Sequence, residues 1–273
     1  MHLDKATLKE EAEFFWQNGY MVIRNAFSPE EMGFVKSAIK QNKMMEERVE
    51  ALRKKVADGK HPSFETIFVW NDTSGDDIFA KVTRNYKIIE RLEYFFSDSV
   101  YVYHNKIALK YPGIPGFRYH QDYNYWYKMG NLYPDMATAS TAIDAATIEN
   151  GCLRILEGSH KMGRIDHEFH EAEHDSGVNE ARLNIIRQRL KEVHIKLDVG
   201  DTVIFHCNTL HASDDNHSPA SRIALLGCYN TKHNSPYSSK ESGHPYYSEQ
   251  KTVTEKITAA DIARMPDFSL AYA

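Results

Sequence analysis

A chain of 273 residues, 42% hydrophobic and 26% charged, falls within the composition of soluble globular proteins and is long enough for one substantial core. Its net charge of −5, with 33 Lys and Arg scattered among 38 acids, offers no basic stripe for a phosphate backbone, so no nucleic-acid partner is expected. The opening MHLDKATLKEEAEFFWQNGY is charged throughout and no window approaches the ~18 consecutive apolar residues of a membrane span, which leads us to expect a cytoplasmic protein without a membrane partner. Cys152, Cys207 and Cys228 are widely spaced and set in apolar contexts, so buried free thiols are the economical reading.

In chain order, the residues up to about 98 are mainly helical in pattern. LKEEAEFFWQNGY is amphipathic and stops at Gly19, and MVIRNAF has the texture of a short strand. SPEE at 28–31 supplies a cap, a proline at the first helical position and acids in the first turn of a helix predicted to run to about residue 57 with one break. Ile78, Phe79, Val82, Tyr86, Ile89 and Leu92 then recur at three-to-four-residue spacing, which predicts a further helix.

From about residue 99 short β-like runs are broken by Gly, Pro, Asn and Asp. Strands are predicted near 100–111, 117–123, 137–145, 152–156, 193–198, 202–207 and 222–230, with a polar insertion at about 158–191 and a tail from about 236. The spacing points to a jelly roll of about residues 99–235, buttressed by the N-terminal helices within one domain.

The segment RYHQDYNYWY at 118–127 sets His120 two positions before Asp122, and on an extended strand that spacing puts both side chains on one face. Alone, the pair could simply be solvated. His211 lies 89 positions beyond Asp122, at the end of DTVIFHCNTLH, and would complete a two-histidine, one-carboxylate facial triad, the donor set of non-haem Fe(II) with open positions. Eleven residues later Arg222 begins the strand RIALLGCYN. A guanidinium inside a barrel needs an anion, and its planar fork suits a carboxylate such as the distal one of 2-oxoglutarate, although any of the chain's acids could serve.

His-x-Asp, followed by ENGCLRILEGSH at 149–160 and by H-x-S-x-x-N-x-S-P-x-x-R at 211–222, resembles the phytanoyl-CoA dioxygenase family of Fe(II)/2-oxoglutarate oxygenases. FFWQNGYMVIRNAFSPEE is similar to the opening helix and strand of that family, so the likeness covers about residues 8–235. HQDYNYW and the YN after the arginine strand are closest in detail to the ectoine hydroxylase branch, whereas Asn105–Lys110 and Ala224 depart from it. The resemblance implies a double-stranded β-helix in which His120, Asp122 and His211 hold iron and Arg222 anchors 2-oxoglutarate, with Ser213 and Asn105 assisting. Tyr123 and Trp126 would line the substrate side. Related halogenases replace the carboxylate by a small residue, so Asp122 implies hydroxylation, with dioxygen consumed and succinate and carbon dioxide released.

His167, His170 and His174 in HEFHEAEH share a helical face and so invite a zinc reading, but the segment is acidic and is not HExxH, which favours a solvated or lid segment. Lys106 or Lys110 could meet an anionic group of a substrate, although a strand lysine may equally be solvated. The polar, Tyr-rich mouth favours a small polar or zwitterionic substrate: an amino acid, an ectoine-type solute or an aminophosphonate. The alternatives are a non-catalytic jelly-roll binding or sensing protein and a hydroxylase of an acyl-CoA or lipid-type substrate. Oligomeric state is left open by the sequence.

Overall fold

The computed structural model describes residues 2–60, 66–170, 175–237 and 246–266. Its first hundred residues are built as the sequence signals require. Helix α1 (Lys5–Asn18) starts at Asp4, whose carboxylate accepts from Thr7 N, and ends at Gly19, whose φ of 84° is the left-handed conformation that glycine adopts without penalty. After strand β1 (Tyr20–Ile23), a capping box opens α2 (Pro29–Gln41): Ser28 Oγ accepts from Glu31 N at 3.2 Å, and Glu31 accepts from Ser28 N at 2.9 Å. The expected break falls at Asn42, whose side chain caps α3 (Lys43–Ala57).

An edge strand not foreseen in the sequence, β2 (Ile67–Trp70), comes next. The single helix predicted beyond residue 76 is two, α4 (Ile78–Thr83) and α5 (Tyr86–Phe96), because Asn85 turns its amide oxygen onto Lys87 N and starts a new helix.

The β region follows with β3 (Val100–Lys110), β4 (Phe117–His120), the short helix α6 (Asp122–Lys128), β5 (Met136–Ala142) and β6 (Leu153–Leu156). The insertion holds the hairpin β7 (His167–His170) and β8 (Asp175–Val178) and helix α7 (Glu180–Arg187). Strands β9 (Glu192–Ile195), β10 (Thr202–His206), β11 (His211–Ser213) and β12 (Arg222–Thr231) complete it. One antiparallel sheet runs β1-β10-β5-β12-β3-β2 and the other β4-β11-β6-β9, the two sheets of the expected jelly roll.

Alternation along the strands separates two packing surfaces. On β10, Val203 and Phe205 pack with Cys152, Ile155 and Ile195 of the smaller sheet, whereas Ile204 packs with the helices. Ile107, Leu109, Ala137, Ile223 and Leu225 also face the helical layer, where Phe15 of α1 stacks on Phe95 of α5 at 4.7 Å. Burying each large apolar side chain there contributes roughly 1.5–3 kcal/mol. The helices thus cover one face of the larger sheet, and the other face turns inward. All three cysteines are buried and free.

Candidate metal centre

His120 ends β4 and His211 opens β11, and the two are direct cross-strand partners. Their rings lie 4.2 Å apart, and with Asp122 they present three ligand atoms within 4.8 Å of one another. Asp122 is not on the strand, which corrects the expected run to residue 123: β4 stops at His120, Gln121 is extended, and Asp122 is the first residue of α6. The turn into the helix, rather than the strand's two-residue period, brings the carboxylate to the imidazoles.

Each imidazole is fixed by its other nitrogen. His120 Nδ1 donates to the Arg118 carbonyl at 2.8 Å and His211 Nδ1 to the Thr209 carbonyl at 2.9 Å, which leaves Nε2 of both rings available to a metal. Burial, and after it His120, pushes His211 down to about 3, so its imidazole is neutral and ready to ligate. Burial opposes ionisation of Asp122, yet Lys106, His211, His120 and the Thr138 hydroxyl hold its carboxyl well below the usual range. Thr138 on β5 donates to Asp122 Oδ2 at 2.7 Å, and Lys106 Nζ stands 3.5 Å from Oδ1. Two imidazole nitrogens and one hydrogen-bonded carboxylate are a donor set that fits a divalent iron.

Gln121, between His120 and Asp122, carries no mark of a role in the sequence. Its side chain is fully buried, donating to the carbonyls of Gly163 and Asn208 and accepting from Ile165 N, all at 2.7–2.8 Å. Those bonds tie the bend that carries His120 and Asp122 to the loops leading into β7 and β11. No sequence motif marks such a role, because each partner is a backbone atom distant in the chain.

The inner face of the larger sheet shows where a second group would sit. Across β3 and β12 the paired residues are His104–Cys228, Lys106–Leu226, Ala108–Ala224 and Lys110–Arg222. On β5, Thr138, Ser140 and Ala142 extend the first three pairs. Asp122 is held at the Thr138 and Lys106 end, two basic side chains stand at the other, and Ala108, Ala224 and Ala142 make a row of small side chains between. Arg222 Nε is buried with no hydrogen-bond partner among the described residues, and burial pushes the guanidinium down to about 10. Lys110 Nζ donates to Ser213 Oγ at 2.8 Å and to the Asp214 carbonyl, so it links β3, the strand beside Arg222's, to the smaller sheet. Burial, and then Arg222, pushes Lys110 down to about 6. The structure therefore brings Arg222, Lys110 and Ser213 together. Asn105 stands on the other face of β3, alternating with Lys106 and sharing the side of Ile107 and Leu109 that meets the helices, and is not part of this group.

The aromatics after Asp122 divide. The Tyr123 hydroxyl donates to the Leu132 carbonyl at 2.7 Å, so this ring belongs to the buried cluster with Tyr101, Tyr103 and Met136. Trp126 is in the same cluster, edge-on to His104 at 5.8 Å and beneath Lys106 Nζ at 5.8 Å. Tyr125 is the one of these aromatics whose ring meets His120, at 6.3 Å, and its hydroxyl donates to the Ser176 carbonyl in the insertion. His167 is neither solvated nor in a helix: it lies on β7, its Nε2 accepts from Gln121 N at 3.1 Å, and burial followed by His120 pushes it down to about 3. The insertion thus packs on the metal strand. The side chain of His170 and all of His174 lie outside the described residues.

Residues 15–224 match the model of the phytanoyl-CoA dioxygenase family, about three quarters of the chain. The chain belongs to the phytanoyl-CoA dioxygenase family. It is 25% identical over 242 residues to an ectoine dioxygenase of Stutzerimonas stutzeri (strain A1501), an alignment covering 84% of this chain and 78% of the relative. A 2-aminoethylphosphonate dioxygenase of an uncultured bacterium, HF130_AEPn_1, is 32% identical over 133 residues, covering 49% and 47%. Among solved structures, EctD from S. alaskensis with bound Fe superposes with a TM-score of 0.68 at 18% identity, covering 94% of this chain and 89% of that one, a likeness of fold. As a member of the phytanoyl-CoA dioxygenase family the protein is a non-haem iron, 2-oxoglutarate-dependent dioxygenase. No helix among the described residues is long and apolar enough to cross a membrane.

Proposed function

We propose that the protein hydroxylates an unactivated C–H bond of a small polar or zwitterionic metabolite. In this reaction substrate, 2-oxoglutarate and dioxygen give hydroxylated substrate, succinate and carbon dioxide. The observation that carries the reading is the inner face of the larger sheet: three ligands at one end, Arg222 and Lys110 at the other, and a row of alanines between.

His120, Asp122 and His211 would hold the iron, which supplies the activation of dioxygen when bound. Arg222 would grip the distal carboxylate of 2-oxoglutarate through its fork, with Lys110 and the Ser213 hydroxyl beside it, so the burial of Arg222 is offset by an anion rather than left uncompensated. The alanine row leaves room for the cosubstrate's methylene chain, where larger side chains would fill the space. Tyr125, Trp126 and the β7–β8 hairpin close the opposite side and restrict water. A compact substrate suits a mouth crowded by aromatic rings, and relatives named for ectoine and for 2-aminoethylphosphonate are consistent with polar, charged small molecules.

The test is succinate formation under air from 2-oxoglutarate and added Fe(II), first without substrate and then against a panel of amino acids, cyclic zwitterions and aminophosphonates. Substrate-stimulated succinate release with a hydroxylated product supports the reading. Failure to take up iron or to consume 2-oxoglutarate under any condition would leave a binding or sensing protein instead.

A further inference from the structure

Lys106 is a cation inside the barrel that stands beside Asp122, away from the Arg222 end. It lies on the inward face of β3, one pair beyond the alanine row, with Leu226 and Ser140 as its neighbours across the sheet. Its Nζ is 3.5 Å from Asp122 Oδ1 and 5.8 Å above the Trp126 ring, with the Cys228 thiol and Tyr125 also near it. An ammonium has three donors, and one carboxylate oxygen at that distance does not saturate them. Asp122 is moreover shared: its second oxygen is held by Thr138, and metal binding takes up its negative charge.

The charges show what is missing. In the loaded site, two positive charges of the iron and one each of Arg222 and Lys106 face one negative charge of Asp122 and two of the cosubstrate. One positive charge remains, whereas Lys110, where protonated, has Asp214 and Asp215 beside it. An uncompensated buried cation is costly, so a site built this way is completed by an anion. The cosubstrate has its own cations four residues along the same strands, at Lys110 and Arg222. Lys106 stands instead at the Trp126 side of Asp122.

We propose that Lys106 is the residue that selects the substrate, by binding an anionic oxyacid group, a carboxylate or a phosphonate, beside the iron. The proposal rests on the dioxygenase reading above and narrows its substrate class: neutral and purely cationic molecules are excluded. The flat Trp126 ring beneath the ammonium confines that group to one side, so the bond to be hydroxylated lies close along the chain from the anionic end.

Equilibrium binding under argon tests this without turnover. Protein loaded with Fe(II) and 2-oxoglutarate is titrated by calorimetry with propanoate and propylphosphonate, and with the neutral 1-propanol and cationic propylamine. The two anions are expected to bind saturably and the other two to bind at least tenfold more weakly, with the better anion identifying the headgroup (roughly 1.4 kcal/mol per tenfold). In Lys106→Met, held at saturating Fe(II), the anions should lose roughly tenfold or more, and in Lys106→Arg most of the affinity should return, while 2-oxoglutarate binds as in the unaltered protein.

The proposal is overturned if the unaltered protein binds the neutral probe as well as the anions, or binds no anion, a comparison that needs no variant to fold. It is also overturned if Lys106→Met weakens 2-oxoglutarate instead, which would make Lys106 a cosubstrate residue, or weakens iron, which would make it a positioning residue for Asp122. Unaltered protein that takes up neither iron nor 2-oxoglutarate refutes the dioxygenase reading itself, a result recognisable before any probe is added.

Discussion

His120 and His211 are paired residue to residue across β4 and β11, and each is oriented by a hydrogen bond to the carbonyl two residues before it. A β-ladder therefore sets the distance between two candidate ligands that are 91 positions apart in sequence. His120→Ala and His211→Ala should each lose iron affinity by more than the roughly 10- to 100-fold typical of losing an outer hydrogen-bond partner. The metal-free fold should persist, since the ladder is made of backbone atoms. Iron titration with circular dichroism separates the two effects, and a variant that keeps its iron would remove that histidine from the centre.

Gln121 holds the bend between His120 and Asp122 by bonds to Gly163, Asn208 and Ile165. Gln121→Ala should cost about 1–3 kcal/mol of stability by orphaning buried backbone groups. It should also weaken iron binding roughly 10- to 100-fold without removing a ligand. Urea unfolding of the metal-free protein gives the first number and an iron titration the second; normal iron affinity in a destabilised variant would reduce Gln121 to a purely structural role.

Lys110, pushed down from 10.5 to about 6 by burial and then by Arg222, makes a prediction about pH. Between those values the unfolded chain binds a proton there that the folded chain does not, so this residue makes stability rise with pH across that window. Below about 6 its penalty is fully present. The stability of the unaltered protein relative to Lys110→Met should therefore increase with pH in the absence of 2-oxoglutarate, as read from urea midpoints.

A carboxylate placed between Arg222 and Lys110 reverses that depression, so 2-oxoglutarate binding at neutral pH should take up a proton. Calorimetry in two buffers of different ionisation heat measures it directly, and equal heats would count against Lys110 as a cosubstrate partner. Arg222→Gln should raise the 2-oxoglutarate requirement by about 2–5 kcal/mol of binding, the range for truncating one side of a buried charge pair, and leave iron affinity in place.

Gly151 has φ 72°, and a Cβ there would stand 2.1 Å from the Asp214 carbonyl, the same carbonyl that accepts from Lys110. Gly151→Ala should destabilise the fold by about 1–3 kcal/mol from backbone strain alone. Because the loop must move to make room, 2-oxoglutarate affinity should fall as well. A variant that loses stability and keeps full cosubstrate affinity would show that the loop adjusts elsewhere.

Part of the site was legible in the sequence because the family's motifs are themselves built from local structure. In ENGCLRILEGSH, Asn150 closes its own turn by accepting from Thr147 N, Gly151 admits the Asp214 carbonyl, and Ser159 accepts from Leu210 N, next to the ligand His211. In the segment from His211 to Arg222, Asn216 organises the loop through Lys110, Ala220 and Ser218. Each letter of the motif has a fixed job, so the pattern survives in one dimension.

The strand assignment of Asp122 failed for a local reason: an extended residue followed by a helical turn reads, in hydrophobic pattern, like two more residues of strand. Asn105 and Lys106 show the same limit in another form. They are adjacent in sequence and both polar, but which of them faces inward is set by the pairing of β3 with β12, and the register places Lys106 and Lys110 within and Asn105 without. His167 looked like one of three helical histidines until the hairpin placed it on Gln121.

The sequence by itself determined the donor types, the jelly-roll class and the helical caps, because residue chemistry, strand periodicity and hydrogen bonds three residues apart are all local properties. The tertiary structure alone decided that Lys106 meets Asp122, that Lys110 stands beside Arg222, and that three alanines from three strands form one row. Those relations depend on strand order and register, which arise from packing two sheets and a helical layer together, and no short stretch of the chain encodes them.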